Sequence, residues 1–203
     1  NVMLRGVTTS AEAKNALLKE LARKGYAVMD CLELLPDVKG LEGKTCGIIN
    51  VSVANMRVAP DFSSEMMTQS LMGMPVRVLQ RDGWVRIQTP DNYIAWVHRV
   101  GVHPVTEEEM AAWNKAEKIV VTAHYGFVYS EPNQTSQTVS DVVAGNRLKW
   151  EGSKGAFYKV TYPDGRRGYI SKSIAMPEKK WRSGLQQDAA GIIRTAHTMM
   201  GIP

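Results

Sequence analysis

The chain has 203 residues and a mass of 22.5 kDa, and 44% of it is apolar, so it is long enough for one or two packed domains and too apolar to be disordered. Lys and Arg outnumber Asp and Glu by 25 to 20, giving +5 and a pI near 9.2; the densest basic runs, Glu178 to Arg182 and Gly165 to Gly168, are short, which argues against nucleic acid as the partner. No run approaches the ~18 apolar residues that span a bilayer, and Cys31 and Cys46 have neither metal-ligand spacing nor a neighbouring histidine, so no metal or cofactor is expected.

The first 45 residues read as a helical segment. Thr9-Ser-Ala-Glu12 has the form of a capping box. Ala13, Leu17, Leu18 and Leu21 supply an apolar stripe, and Gly25 is placed to end the helix in a left-handed turn. Tyr26 to Met29 reads as a short extended segment. The two cysteines admit two readings, a disulfide closing a short loop or two separate apolar thiols.

Residues 46–104 read as a small barrel of short strands. Pro75 to Leu79 and Trp84 to Gln88 alternate apolar and polar residues, and Asp82-Gly83 between them supplies a tight hairpin turn. The stretch from Arg57 to Ser70 shows no strand pattern and is expected to be a long loop. Trp84 and Trp96 read as core positions, which leaves no exposed aromatic groove.

Thr106-Glu-Glu-Glu109 is a second capping box. It opens a linker helix over 105–117, with Met110 and Trp113 packed. Residues 118–176 then repeat the first barrel. Pro60 and Pro132, Ser64 and Ser136, and Gly73 and Gly145 are each 72 apart; Pro90 and Pro163, Asp91 and Asp164, and Trp96 and Tyr169 are each 73 apart. One residue is therefore inserted near the Gly155 turn. A duplicated unit of short strands implies two SH3-like barrels in tandem, within a mainly β fold with flanking helices. In 177–203, Ser183 to Gln186 reads as a cap for a helix whose Leu185, Ala189, Ile192, Ile193 and Ala196 share one face. That face needs a partner, either the barrels or a domain of which this is the first helix.

Several segments together resemble one family: Val51-Ser-Val-Ala-Asn-Met-Arg57, Met67-Thr-Gln-Ser-Leu-Met-Gly73, Trp84-Val-Arg-Ile-Gln-Thr-Pro-Asp91, Val139 to Asn146, and Ala196-His-Thr-Met-Met-Gly-Ile-Pro203. The resemblance is to secreted NlpC/P60 cysteine peptidases that carry two bacterial SH3 domains. It implies a secreted, periplasmic or cell-envelope location. It also implies that 177–203 opens a peptidase domain, with the Cys-based nucleophile motif outside this chain. Cys31 and Cys46 do not precede Ser-Gly, and His98, His103, His124 and His197 stand apart, so the chain alone is expected to be inactive.

In the resembling enzymes the first SH3 domain walls the active-site cleft and recognises the free amino end of the stem peptide L-Ala-γ-D-Glu-diamino acid. The resemblance therefore implies substrate contacts at Tyr93, Thr68, Gln69 and Met67. Met67 stands where the family has a Glu, and Glu65, two residues earlier, is the carboxylate that would take its place. The implied partners are peptidoglycan stem peptides, or murein tripeptides, and the missing catalytic domain. Two alternatives are a stand-alone SH3-type peptide or cell-wall binder and a basic SH3-like nucleic-acid binder, the latter suggested by pI alone.

Overall fold

The structure, a computed structural model, describes residues 2–201. It divides into two units, Asn1–Asn114 and Lys115–Pro203. Each unit contains one seven-stranded antiparallel sheet.

The first unit opens on a β-α-β element rather than on a helix alone. Strand β1 (Val2–Thr8) and β2 (Val28–Leu34) pair in parallel, joined by α1 (Ala11–Arg23). The helix starts one residue later than its sequence suggests: Ser10, not Thr9, is the cap, its Oγ accepting the Ala13 N–H at 3.0 Å. Gly25, at φ 80°, ends it as expected, with the Tyr26 N–H donated to the Leu21 carbonyl at 3.1 Å. A two-stranded sheet covers little surface, so Leu18 and Leu21 are half-buried and Leu17 stays exposed.

The connector then lies on the first barrel, with Leu35 and Leu41 buried and the Asp37 N–H donated to the Leu79 carbonyl at 3.0 Å. That barrel comprises β3 (Cys46–Ile49), β4 (Val53–Arg57), β5 (Met66–Leu71), β6 (Pro75–Asp82), β7 (Trp84–Gln88), β8 (Ile94–His98) and β9 (Val102–Val105). Its strand order is β5-β4-β8-β7-β6-β3-β9. Strand β5 lies inside the stretch expected to be a loop. Met66 and Met67 are exposed while the polar Ser70 is the buried residue, so hydrophobic alternation gives no sign of it. Ile49, Met56, Val78, Val85, Ile87 and Val97 fill the core.

Helix α2 (Glu107–Lys115) begins with the expected reciprocal cap: the Thr106 N–H reaches Glu109 Oε2 at 2.8 Å and the Glu109 N–H reaches Thr106 Oγ1 at 3.2 Å. Trp113 packs on Ile48 and Val105 and donates Nε1–H to the Gly73 carbonyl at 3.3 Å, which fixes the helix to the first barrel.

The second barrel comprises β10 (Lys118–Val121), β11 (Tyr125–Tyr129), β12 (Thr138–Val143), β13 (Arg147–Lys154), β14 (Phe157–Thr161), β15 (Arg167–Ser171) and β16 (Ala175–Pro177). The order, β12-β11-β15-β14-β13-β10-β16, matches the first barrel strand for strand. Corresponding strands start 72 residues apart through β13 and 73 apart from β14, which places the extra residue after Gly155. The bulges recur too: register shifts between Met56 and Arg57 and between Val78 and Gln80 return between Val128 and Tyr129 and between Trp150 and Gly152.

Ser183 ends α3 (Glu178–Ser183) instead of capping the last helix. Asp188 caps α4 (Ala189–Thr198), its Oδ1 accepting the Gly191 N–H at 2.7 Å. Ile192 and Ile193 on α4 are exposed. No helix among the described residues is long and apolar enough to cross a membrane.

Candidate ligand-binding face of the first barrel

Antiparallel pairing sets which residues share the outer face of the first sheet. Asn55 lies opposite Gln69, Arg57 opposite Trp96, and Trp84 opposite His98. The inward phase of β7 and β8 is taken by Val85, Ile87, Ala95 and Val97. Trp84 and Trp96 therefore face outward and are half-buried, contrary to the core positions expected for them.

The loop from Val58 to Glu65 folds over this face. Ser64 Oγ accepts the Ala59 N–H at 3.0 Å, the Val58 N–H reaches the Glu65 carbonyl at 3.1 Å, and Arg57 Nη1 donates to the Ser64 carbonyl at 2.5 Å. At its tip Asp61 Oδ1 accepts both the Ser63 N–H, at 2.7 Å, and the Ser63 hydroxyl, at 2.8 Å. These bonds, the backbone one first, hold the Asp61 carboxyl below the usual carboxylate range. The loop is thus clamped, and it sets Phe62 4.9 Å from Trp84 and 5.1 Å from His98, which are themselves 5.3 Å apart edge to face. Phe62 remains 67% exposed. Between loop and strands lies a groove of about 270 Å³, lined by Val53, Asn55, Arg57, Phe62, Trp84, His98 and neighbours. Aromatic rings, an arginine and an amide around one open groove can hold an extended peptide by ring packing and a few directed hydrogen bonds.

The residues singled out in the sequence distribute unevenly around this groove. Gln69 is joined to it: its Nε2 donates to Asn55 Oδ1 at 2.9 Å, aiming a groove-lining amide. Met67 is exposed and Thr68 half-buried on the same edge strand, not on a loop. Glu65 is exposed at the foot of the clamped loop, and its carboxylate makes no hydrogen bond or ion pair among the described residues. Tyr93 stands at the β7–β8 turn, where its N–H reaches Thr89 Oγ1 at 3.2 Å, and it does not line the groove. Phe62 and the outward-facing Trp84 were not foreseen. The repeat itself held the signal, since Ser64 at the offset of Ser136 marks a clamped loop with Phe62 inside it.

A second cleft of about 430 Å³ lies between α2 and β6, lined by Cys46, Arg77, Gln88, Asn92 and Met110 among others. Burial, with a smaller contribution from Glu107, pushes the Cys46 thiol above its ordinary value. A thiol so shifted is a poor nucleophile at neutral pH. Both cysteines are free, so of the two sequence readings the disulfide is absent, and Cys31 is exposed rather than buried. No group of three or more His, Cys, Asp and Glu able to hold a metal occurs among the described residues.

The barrels belong to a defined class. Residues 56–100 match the family described as bacterial dipeptidyl-peptidase Sh3 domain, and residues 124–174 match the bacterial SH3 domain. The chain is mostly β, with two SH3-like barrels in tandem, each carrying one of these matches, and short flanking helices. It is similar to YrvJ of Bacillus subtilis (strain 168), named as a candidate N-acetylmuramoyl-L-alanine amidase, at 22% identity over 141 residues; the match covers 66% of this chain and 27% of that protein. In fold it resembles an NlpC/P60 family protein from Bacillus cereus ATCC 10987, with a TM-score of 0.54 and 20% identity, over 64% of this chain and 55% of the other. It likewise resembles an NlpC/P60 endopeptidase from Photobacterium damselae subsp. piscicida, with a TM-score of 0.50 and 14% identity, over 83% and 39%. The chain thus spans about a quarter of the curated relative and about half or less of these two structures.

Proposed function

We propose that this chain is a peptidoglycan-binding region acting outside the cytoplasm, and specifically the substrate-recognition part of an NlpC/P60-type cysteine endopeptidase for L-Ala-γ-D-Glu-diamino acid peptides. The observation that carries the reading is that the match to the bacterial dipeptidyl-peptidase Sh3 domain, 56–100, contains Arg57, Phe62, Trp84 and His98 of the groove, together with Glu65 and with Gln69, which bonds the groove-lining Asn55 just before the match. The stem peptide's amino end is an ammonium, which needs an anion when it leaves water. Glu65, unpaired beside the groove, supplies one where Met67 cannot. Gln69 orients Asn55 toward the peptide backbone. The exposed Ile192 and Ile193 of α4 would pack against the peptidase domain. The nucleophile and base belong to that domain, so the 203-residue chain leaves the peptide uncleaved.

The test is backbone-amide NMR of the labelled chain as L-Ala-γ-D-Glu-diamino acid is added. Shifts concentrated at 57–69 and 84–98 support the reading, and shifts confined to the second unit or none at all overturn it. A second reading is favoured by the Phe62–Trp84–His98 cluster: a general SH3-type peptide binder with no peptidase partner. Tighter binding of a Pro-rich peptide than of the stem peptide would select it.

A further inference from the structure

The second barrel carries an aromatic face of its own. Tyr125, Phe127 and Tyr129 alternate outward along β11, with ring centroids 5.1 and 6.4 Å apart. Tyr129 lies directly across from Tyr169 on β15, and Tyr169 across from Lys159 on β14, while Arg167 shares the outward phase of Tyr169. The inward positions between these rings on β11 are Gly126 and the buried Val128, and on β15 Gly168 lies inward between Arg167 and Tyr169. A Cβ at Gly126 would lie 2.5 Å from Ile174, and one at Gly168 would lie 2.5 Å from Val128 and 2.8 Å from the Tyr129 carbonyl. The bare Gly168 therefore lets β15 approach β11 closely beside Val128 and Tyr129, where Tyr129 faces Tyr169. Tyr125 is 58% exposed.

Charge says what such a face would attract. Counted over the sequence, Asn1–Asn114 has 12 Lys and Arg against 13 Asp and Glu, and Lys115–Pro203 has 13 against 7. The first unit is thus −1 and the second +6, which together account for the whole +5. Much of the second unit's charge is already paired, as in Lys149–Glu151, Arg166–Asp164, Lys179–Glu117 and Arg182–Glu178. Lys159 is not, and makes no hydrogen bond or ion pair among the described residues. Arg167 is unbridged and acts only at a distance on Glu151. Asp141, opposite Phe127 on β12, is an acidic residue of the same face, and Glu151 lies within reach of the charge of Arg167.

We propose that the Tyr125–Phe127–Tyr129–Tyr169 face, with Lys159 and Arg167 at its edge, is a binding site for an extended peptide bearing carboxylates. The rings are inclined to one another by 78° and 58°, so they form a corrugated row that seats an extended chain rather than parallel slots for stacked bases. Two separate cations suit spaced carboxylates, whereas a polyphosphate would call for a continuous basic stripe. The site belongs to the second barrel alone and does not depend on the reading of the first.

The probe is an octapeptide of alternating alanine and glutamate, titrated into the whole chain and followed by backbone-amide NMR. Shifts are expected at Tyr125–Tyr129 and Lys159–Tyr169. Lys159→Gln with Arg167→Gln should weaken binding by roughly three- to tenfold, and the exchange Lys159→Arg with Arg167→Lys should restore most of it. Tyr125→Ala, at an exposed position, should weaken binding with the melting temperature unchanged. Equal binding of an alanine–glutamine octapeptide, or undiminished binding by the double Gln variant, would overturn the proposal. So would tighter binding of oligothymidylate or polyphosphate at equal salt, which would mark the site as one for phosphate polymers.

Discussion

The two barrels are one scaffold carrying two surfaces. Strand order, bulges and the clamped loop are shared. In the loop, Ser64 and Ser136 bond the backbone five residues back, and Asp61 and Asn133 bond the backbone and hydroxyl of Ser63 and Thr135. What differs is what the scaffold presents. The loop tip that carries Phe62 in the first barrel carries Gln134 in the second, and the aromatic row of β11 has Val53, Asn55 and Arg57 as its first-barrel counterparts. Leu79, buried under the connector, corresponds to the exposed Glu151. Hydrogen-bond geometry and turns constrain a fold tightly, while an outward side chain is constrained only by what it meets.

The cores differ by exchange of volume between facing positions. Ala54 with Gly101 in the first barrel becomes Gly126 with Ile174 in the second, and Gly47 with Val102 becomes Ile119 with Ala175. A Cβ at Gly47 would lie 2.7 Å from Val102, just as one at Gly126 would strike Ile174. Close-packed interiors keep total volume more strictly than they keep its distribution.

The comparison breaks most visibly at Gly168, whose counterpart in the first barrel is the buried Ala95. Gly168→Ala should cost about 2–3 kcal/mol, because backbone as well as side chain must move. The mirror change Ala95→Gly should cost only about 1 kcal/mol. Chemical denaturation of the two variants measures the difference, and equal losses would mean the barrels do not superpose as claimed. A smaller effect tests the exchanged volumes. Gly101→Ile alone should destabilise the first barrel, and adding Ala54→Gly should recover part of the loss, with a coupling of about 1 kcal/mol in a double-mutant cycle. Additive losses would refute it.

The smallest effect separates the two loops by pH. The Asp61 carboxyl is held below its usual value when folded, so its contribution to loop order is full above the ordinary carboxylate pKa. It is lost as pH falls through the depressed folded value. Asn133 does not titrate, so acid should speed amide exchange in 58–65 before 130–137. Simultaneous loosening would contradict this.

The sequence made the barrels legible because Gly, Pro and Asp punctuate their turns at a fixed offset, and backbone geometry demands those residues there. The caps of α2 and the end of α1 were legible for the same local reason. Strand β5 was hidden because its buried residue is Ser70 and its methionines face solvent. Strand β1 was hidden because a two-stranded sheet leaves most of its side chains exposed, erasing the alternation. Of the candidate site, Gln69 and Glu65 are proposed from the resemblance. The Phe62–Trp84–His98 cluster was missed because Trp84 and Trp96 occupy strand positions whose phase depends on which neighbours win the interior. Valine and isoleucine won it.

The central claim is that the first barrel reads a free amino end with Glu65. Calorimetric titration of the chain with L-Ala-γ-D-Glu-diamino acid and with its N-acetylated form tests this directly. Losing a charge-assisted hydrogen bond should weaken the acetylated peptide about tenfold or more, and Glu65→Gln should weaken the free peptide to a similar level while leaving the acetylated one unchanged. Equal affinities for the free and acetylated peptides would contradict the account.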